Sequence, residues 1–158
     1  MLWRETAIVR LVGLTKIPVI AFVGPRVEQL DDDGCTVRIP LGWRTRNHVG
    51  SMYLGVLTVG ADLASGLNAF RAIRSGHRRV IPLFKDMHAE YTKRADGDVI
   101  FRSSQGREVA EAVAKADQTG ERVTLPVRIV ATVPDKYGEE PVARFTLSLT
   151  LKRPAETP

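Results

Sequence analysis

Apolar residues change their spacing along this chain, and the changes mark its elements. From Trp3 to Ile17, Ala7, Ile8, Leu11, Leu14 and Thr15 fall near helical spacing, which predicts a helix that Pro18 ends or kinks. The Gly24-Pro25 pair then breaks the run. Two strands are expected at Val27 to Leu30 and Cys35 to Leu41, around an Asp31-Asp32-Asp33-Gly34 turn. In the second, Cys35, Val37, Ile39 and Leu41 alternate with Thr36, Arg38 and Pro40. Gly42 to Ser51 is polar and reads as a loop. Met52 to Ile73 is long, apolar and rich in Ala and Leu, with a thin polar line of Thr58, Asp62 and Ser65 at i, i+4 and i+7. Two buried strands are the alternative there, but length and the polar line favour a central helix, apolar enough to be wrapped nearly all round.

After Gly76 the period becomes two. Strands are expected over Val80 to Arg94, Val99 to Ser104, Arg122 to Val133 and Pro141 to Lys152, with a short amphipathic helix at Arg107 to Ala116 ending before Gly120. Asp96-Gly97 and Lys136-Tyr137-Gly138 are expected to be hairpin connections, so the pairing is antiparallel. One antiparallel sheet of five to six strands, curled around the single apolar helix, is the economical burial. The architecture is therefore α+β, a hotdog fold with an N-terminal helix. Residues 1–153 form the expected single domain, and 154–158 a flexible tail.

Composition narrows the class. Hydrophobic residues at 44% and charged residues at 26% are those of a folded globular chain rather than a disordered one. A single cysteine, Cys35, allows no internal disulfide and no thiolate cluster, and a reducing cytoplasmic setting is the expectation. The most apolar stretch is interrupted by Asp62, Asn68 and Arg71, so no membrane span is expected. Leu11 to Val23 lacks the pattern of a secretory signal. The net charge of +5 suits a phosphorylated ligand, but only 6% of residues are aromatic and no nucleic-acid module is recognisable, which makes nucleic acid an unlikely partner.

Motifs exclude more than they name. Gly50 and Gly55 are spaced as in a phosphate loop, but Val56 stands where its lysine belongs. No G-x-S-x-G elbow or G-x-G-x-x-G fingerprint occurs. His48, His77 and His88 are too far apart for an i, i+4 metal pair, so no metal is expected. Cys35 sits on an apolar strand face and reads as a small buried hydrophobe rather than a nucleophile.

Asp62 needs a reason. A carboxylate inside a nearly apolar helix costs free energy unless it is paired, and burial pushes its pKa upward, toward that of a useful general base. It could equally tie the helix to a strand or to a partner chain. Upstream, the loop Asn47-His48-Val49-Gly50-Ser51-Met52-Tyr53-Leu54-Gly55 feeds the helix start, where free N–H groups favour an oxyanion; ordinary capping by Asn47 or Ser51 is the plainer reading. Gly55 and Asp62 lie about 10 Å apart along one helix. For both to act on one carbonyl, the helix start of one chain must meet Asp62 of another, so a symmetric dimer is part of the expectation.

Asn47, Gly50, Gly55 and Asp62 fall at the spacing of the Asn, Gly, Gly and catalytic Asp of the PaaI-like hotdog acyl-CoA thioesterases, which this chain resembles from roughly Ile17 to Lys152. Asp86 to Tyr91, followed by Arg94-Ala95, resembles that family's strand and turn after the central helix. Thr45 to Tyr53, continuing to Asp62-Leu63-Ala64, resembles still more closely a bacterial hotdog group known only as a domain of unknown function. Where the thioesterase pattern has His-Gly-Gly, this chain has Tyr53-Leu54-Gly55. The resemblance implies hydrolysis of an acyl thioester, with Asp62 as general base or nucleophile, Asn47 orienting water or substrate, Gly55 N–H polarising the carbonyl and Tyr53 as a secondary donor. It implies substrate contacts from His48, Gly50, Ser51, Leu54, Thr58 and Ser65, and a homodimer or dimer of dimers. Arg78 and Arg79, in a basic cluster with Arg71, Arg74 and His77, could grip the phosphates of coenzyme A or simply complement the helix C-terminus. No cofactor is expected beyond coenzyme A as part of the substrate. The alternative is a hotdog protein that binds an acyl group without cleaving it.

Overall fold

The computed structural model describes residues 1–77 and 79–154. Helix α1 (Trp3–Lys16) stops two residues before Pro18, and Pro18 opens a second helix, α2 (Pro18–Val23), at the first-turn position where its missing N–H costs nothing. The expected kink is thus a sharp corner between two helices. The corner is tight, because a Cβ on Gly13 would stand 2.6 Å from the Ala21 nitrogen.

Strands β1 (Arg26–Leu30) and β2 (Cys35–Ile39) form the expected hairpin. Its turn is built by Asp31, whose Oδ1 accepts the N–H groups of Asp33 at 2.9 Å and Gly34 at 3.1 Å. The central helix α3 (Leu54–Ser75) follows. Beyond it come β3 (Ile81–Tyr91), β4 (Val99–Ser103), α4 (Gly106–Thr119), β5 (Val123–Thr132), the one-turn α5 (Pro134–Tyr137) and β6 (Pro141–Lys152). The fold is α+β, a hotdog: a six-stranded antiparallel sheet in the order β1-β2-β4-β5-β6-β3, with α3 against its inner face.

One expectation is corrected by the sheet. Lys136-Tyr137-Gly138 does join hairpin neighbours β5 and β6, but Asp96-Gly97, between β3 and β4, does not close a hairpin. Strand β3 runs along β6, from Ile81 opposite Lys152 to Tyr91 opposite Ala143, while β4 lies between β2 and β5. Turn residues report only that the chain bends. Which strand it bends toward is set by where each apolar face is buried.

The core lies between α3 and the sheet. Val37, Ile39, Phe101, Val127, Ile129, Leu147 and Leu149 are buried on the strands, opposite Val56, Leu57, Ala61, Leu63 and Ala64 of the helix. Each large side chain so buried contributes roughly 1.5–3 kcal/mol. Gly60 lets the helix come down on the Phe101 ring, into which a Cβ at that position would run. Helix α4 closes one end with Val109, Ala112, Val113 and Ala116 buried.

The helix is not wrapped all round within one chain. Thr58, Val59, Asp62 and Gly66 are only half-buried, on a flank that faces β3 and the N-terminal helices rather than the middle of the sheet.

Candidate functional site

Asp62 sits in the third turn of α3 on that uncovered flank. It lines a groove of about 400 Å³ with Thr58 and Val59 of the helix, Phe84, Lys85, Asp86 and Met87 of β3, and Leu147. Among the described residues its carboxylate takes no hydrogen bond or ion pair, and burial pushes its pKa above the ordinary value of 3.8. An unpaired, partly desolvated carboxylate in a groove holds a proton more readily than an exposed one.

Thr58, one turn earlier, faces the same groove and donates back to the Leu54 carbonyl at 3.2 Å. Ser65 turns the other way. It is buried, and its hydroxyl donates at 2.9 Å to the main-chain carbonyl of Asp62, so it steadies the helix beneath the carboxylate.

The loop before the helix is organised around Asn47. Its Oδ1 accepts the N–H groups of Val49 at 3.0 Å and Ser51 at 3.1 Å, and its Nδ2 donates to the Ser51 hydroxyl at 3.0 Å. Gly50, at φ +85°, takes the left-handed conformation that closes this turn. Thr45 accepts the Tyr53 N–H through its carbonyl at 2.8 Å, and Arg94 donates to the Val49 carbonyl at 2.9 Å, tying the loop to the end of β3. His48 is exposed at the loop tip.

Tyr53 caps α3 through its backbone. Its carbonyl accepts the N–H groups of Val56 at 2.9 Å and Leu57 at 3.1 Å, so the free donors of the first turn are those of Leu54 and Gly55. The Tyr53 ring folds over Gly55, where an added Cβ would meet its Cε1 at 2.6 Å. Leu54 is exposed beside it.

The basic cluster at the far end of α3 is partly engaged. Arg71 bonds Asp32 at 2.8 Å, and His77 Nδ1 meets Asp117 at 2.9 Å. Arg79 is exposed, whereas Arg78 lies outside the described residues, as do residues 155–158 of the expected tail. Cys35 is fully buried, and desolvation, with the charge of Asp31 adding to it, pushes its thiol up to about 12.

Sequence reasoning passed over the β3 side of the groove. The signal was there: Ile81, Leu83, Phe84 and Met87 put apolar side chains on both faces of the strand, and all four are exposed in the single chain. It also missed the N-terminal helices as a wall. Ile8, Val9 and Val12 of α1, with Ile17 and Ile20, line an apolar cavity that Asp62 also touches.

Among the described residues, no group of three or more His, Cys, Asp or Glu is placed to hold a metal ion, and no helix is long and apolar enough to cross a membrane.

The sequence matches the family described as Domain of unknown function (DUF4442) over residues 5–151, and the chain belongs to that family. No curated protein matches it. Among solved structures, it is similar to a protein of unknown function from Pseudomonas aeruginosa described as a probable thioesterase. That match has 24% identity and a TM-score of 0.74 over 93% of this chain and 95% of that one. A protein of unknown function from Chlorobaculum tepidum aligns with a TM-score of 0.79 at 13% identity, covering 94% of both chains. A thioesterase from Haemophilus influenzae aligns with a TM-score of 0.62 at 14% identity, over 90% of this chain and 88% of that one. These likenesses define the fold, the hotdog described above.

Proposed function

We propose that this protein hydrolyses an acyl thioester, with coenzyme A as the expected carrier, at a site shared by two chains. The observation that carries the reading is Asp62: a carboxylate with no partner among the described residues, half-buried in a groove whose other wall is an open sheet edge.

The two edges of the sheet differ. At β1, the start of α1 covers the edge, since Leu2 N–H donates to the Val27 carbonyl at 2.7 Å and the Thr6 hydroxyl accepts the Val27 N–H at 2.9 Å. At β3, nine of the eleven residues pair with β6 on one side, and among the described residues nothing pairs on the other, with Leu83 66% and Met87 41% exposed. A long, unpaired edge with exposed apolar side chains among its charged ones is open to a partner strand. Pairing of β3 with its symmetry mate would cover that edge and bring the partner's helix start toward Asp62, closing the gap of about 10 Å within one chain.

In this reading Asp62 takes a proton from water as the water oxygen attacks the thioester carbonyl. The N–H groups of Leu54 and Gly55 from the partner chain hold the oxyanion; collapse breaks the C–S bond, and the thiolate leaves with the proton from Asp62. Attack by Asp62 itself, through an anhydride that water then opens, is the nucleophilic variant of the same site. Asn47 shapes the loop that presents those donors, and Thr58 offers a hydroxyl in the groove. The remaining loop positions, His48, Gly50 and Ser51, with the exposed Arg79, are candidates for contacts to the carrier.

One observation favours a second reading, binding without cleavage: the Tyr53 ring and the Leu54 side chain crowd the helix start that would hold the oxyanion. Free-thiol release from a panel of acyl-CoAs, comparing the native protein with folded Asp62→Ala, separates the two. Turnover lost in the variant supports hydrolysis by Asp62. Turnover retained in the variant removes Asp62 from the mechanism, and binding without any turnover favours the second reading.

A further inference from the structure

Helix α1 is apolar on both sides. Its inner side buries Val9 and Gly13 and turns Ile8 and Val12 toward the cavity beside α3. A helix packed on one face alone carries polar residues on the other. Here Trp3, Ala7, Leu11 and Leu14 follow one another on the outer side at i, i+4, i+8 and i+11, and all are exposed. The strip continues through the corner and along α2. Ile17, Val19 and Phe22 are each about half exposed, and the Phe22 ring meets that of Trp43, in the loop after β2, edge-on at 6.2 Å.

We infer that this strip docks the protein on an anionic lipid bilayer, with α1 and α2 lying along the headgroup layer. Charge chooses that occupant. Residues 1–25 and 42–50, which build the surface, hold Arg4, Arg10, Lys16, Arg44 and Arg46 against the single acid Glu5, a charge of +4 in a chain of +5. Arg10 turns inward to the Pro25 and Gly24 carbonyls at 3.1 and 3.3 Å. The other four are exposed, and among the described residues none of them is ion-paired. Arg44 lies 5.9 Å over the Phe22 ring, a cation set directly on the apolar strip. Two copies docked by this face would press like charges together, whereas anionic headgroups would neutralise them. The aromatic residues point the same way. Trp3 and Trp43, the chain's two tryptophans, both stand on this surface, 78% and 75% exposed. Indole, apolar in its ring and a donor at its N–H, favours the boundary between water and hydrocarbon. Exposed Trp, Phe and Leu flanked by Lys and Arg are the composition of a helix that lies on a membrane rather than across it. The inference does not depend on the chemistry at Asp62.

The test is co-sedimentation of the full chain with vesicles of equimolar phosphatidylglycerol and phosphatidylcholine at about 0.1 M salt, beside vesicles of phosphatidylcholine alone. Partition to the anionic vesicles is expected to be about tenfold stronger or more than to the neutral ones, and to fall as salt is raised. Because both tryptophans lie on the strip, their emission should move to shorter wavelength on binding and be quenched by lipids brominated on the acyl chain. Folded Arg4→Glu with Arg44→Glu should weaken partition about tenfold or more, and so should folded Trp3→Gln with Leu14→Gln. All four positions are exposed, so circular dichroism should be unchanged. Arg128→Glu, an exposed cation on β5, is the control and should leave partition within about twofold. No partition to the anionic vesicles, equal partition to the neutral ones, unshifted tryptophan emission in the bound protein, or partition that survives both double variants would each overturn the inference. So would a smaller assembly of Trp3→Gln with Leu14→Gln in sedimentation velocity without lipid, because a second copy of the chain would then be what covers the strip.

Discussion

The ring of Tyr53 lies across the helix start at Gly55, so close that a methyl group on Gly55 would stand 2.6 Å from Cε1. This pair sits at the free N–H donors of α3, and the ring governs access to them. Elsewhere in a helix, Gly→Ala stabilises by up to about 1 kcal/mol. Here Gly55→Ala must push the ring aside, and should lose that gain.

A double-mutant cycle checks this. Gly55→Ala is expected to be neutral or destabilising in the native background and stabilising by several tenths of a kcal/mol beside Tyr53→Ala, measured by urea denaturation. Equal effects in both backgrounds would mean that the ring is not what makes glycine necessary.

Asp62 carries a pH signature. The unfolded chain ionises this carboxyl near 3.8, whereas burial holds the folded group's pKa higher. Between the two values the folded state keeps the extra proton, so this group's contribution to stability falls as pH rises through that window. Asp62→Asn has no such loss. Its melting temperature should match the native protein's near pH 3, below the unfolded value, and exceed it at pH 7, while thiol release disappears. A native melting temperature above the variant's at pH 7 would show that Asp62 gains a charged partner in the assembled protein.

The open edge of β3 predicts assembly. Leu83 and Met87 are exposed in the single chain, so Leu83→Glu and Met87→Arg should spare the fold of the protomer. Sedimentation velocity should show the native protein as a dimer or larger. Each variant should shift toward monomer with circular dichroism unchanged and thiol release lost in proportion. A native monomer would remove the shared site, and variants that still dimerise would place the interface elsewhere.

Cys35 should be inert. Burial and the neighbouring Asp31 charge push its thiol up to about 12, far above neutral pH. A thiol-specific chromogenic disulfide should label the native protein at least a hundredfold more slowly than the urea-unfolded chain. Labelling at similar rates would place Cys35 in a locally opening segment of β2.

Local pattern made most of the architecture legible. The alternation from Cys35 to Ile39 sits on β2, the apolar run after Met52 became α3, and the pattern in Val123 to Thr132 became β5. Period and turn chemistry are properties of neighbouring residues, and the sequence states them directly. Asp62 stood out for the same reason, as a carboxylate in an apolar helix. The spacing of Asn47, Gly50 and Gly55 could likewise be read, but not that the side chain of Asn47 hydrogen-bonds within its own loop.

Tertiary structure decided everything that depends on which surfaces meet. The Asp96-Gly97 connection spans the sheet instead of closing a hairpin, because β3 finds β6 and not β4. Ser65 shares its helical line with Thr58 and Asp62, yet is buried, because a few tens of degrees of rotation about α3 separate the core from the groove. The cavity beneath α1 and α2 and the exposed edge of β3 left only faint marks in the chain. A side chain facing an empty space and one facing a packed neighbour can be the same residue type, and only the approach of distant segments distinguishes them.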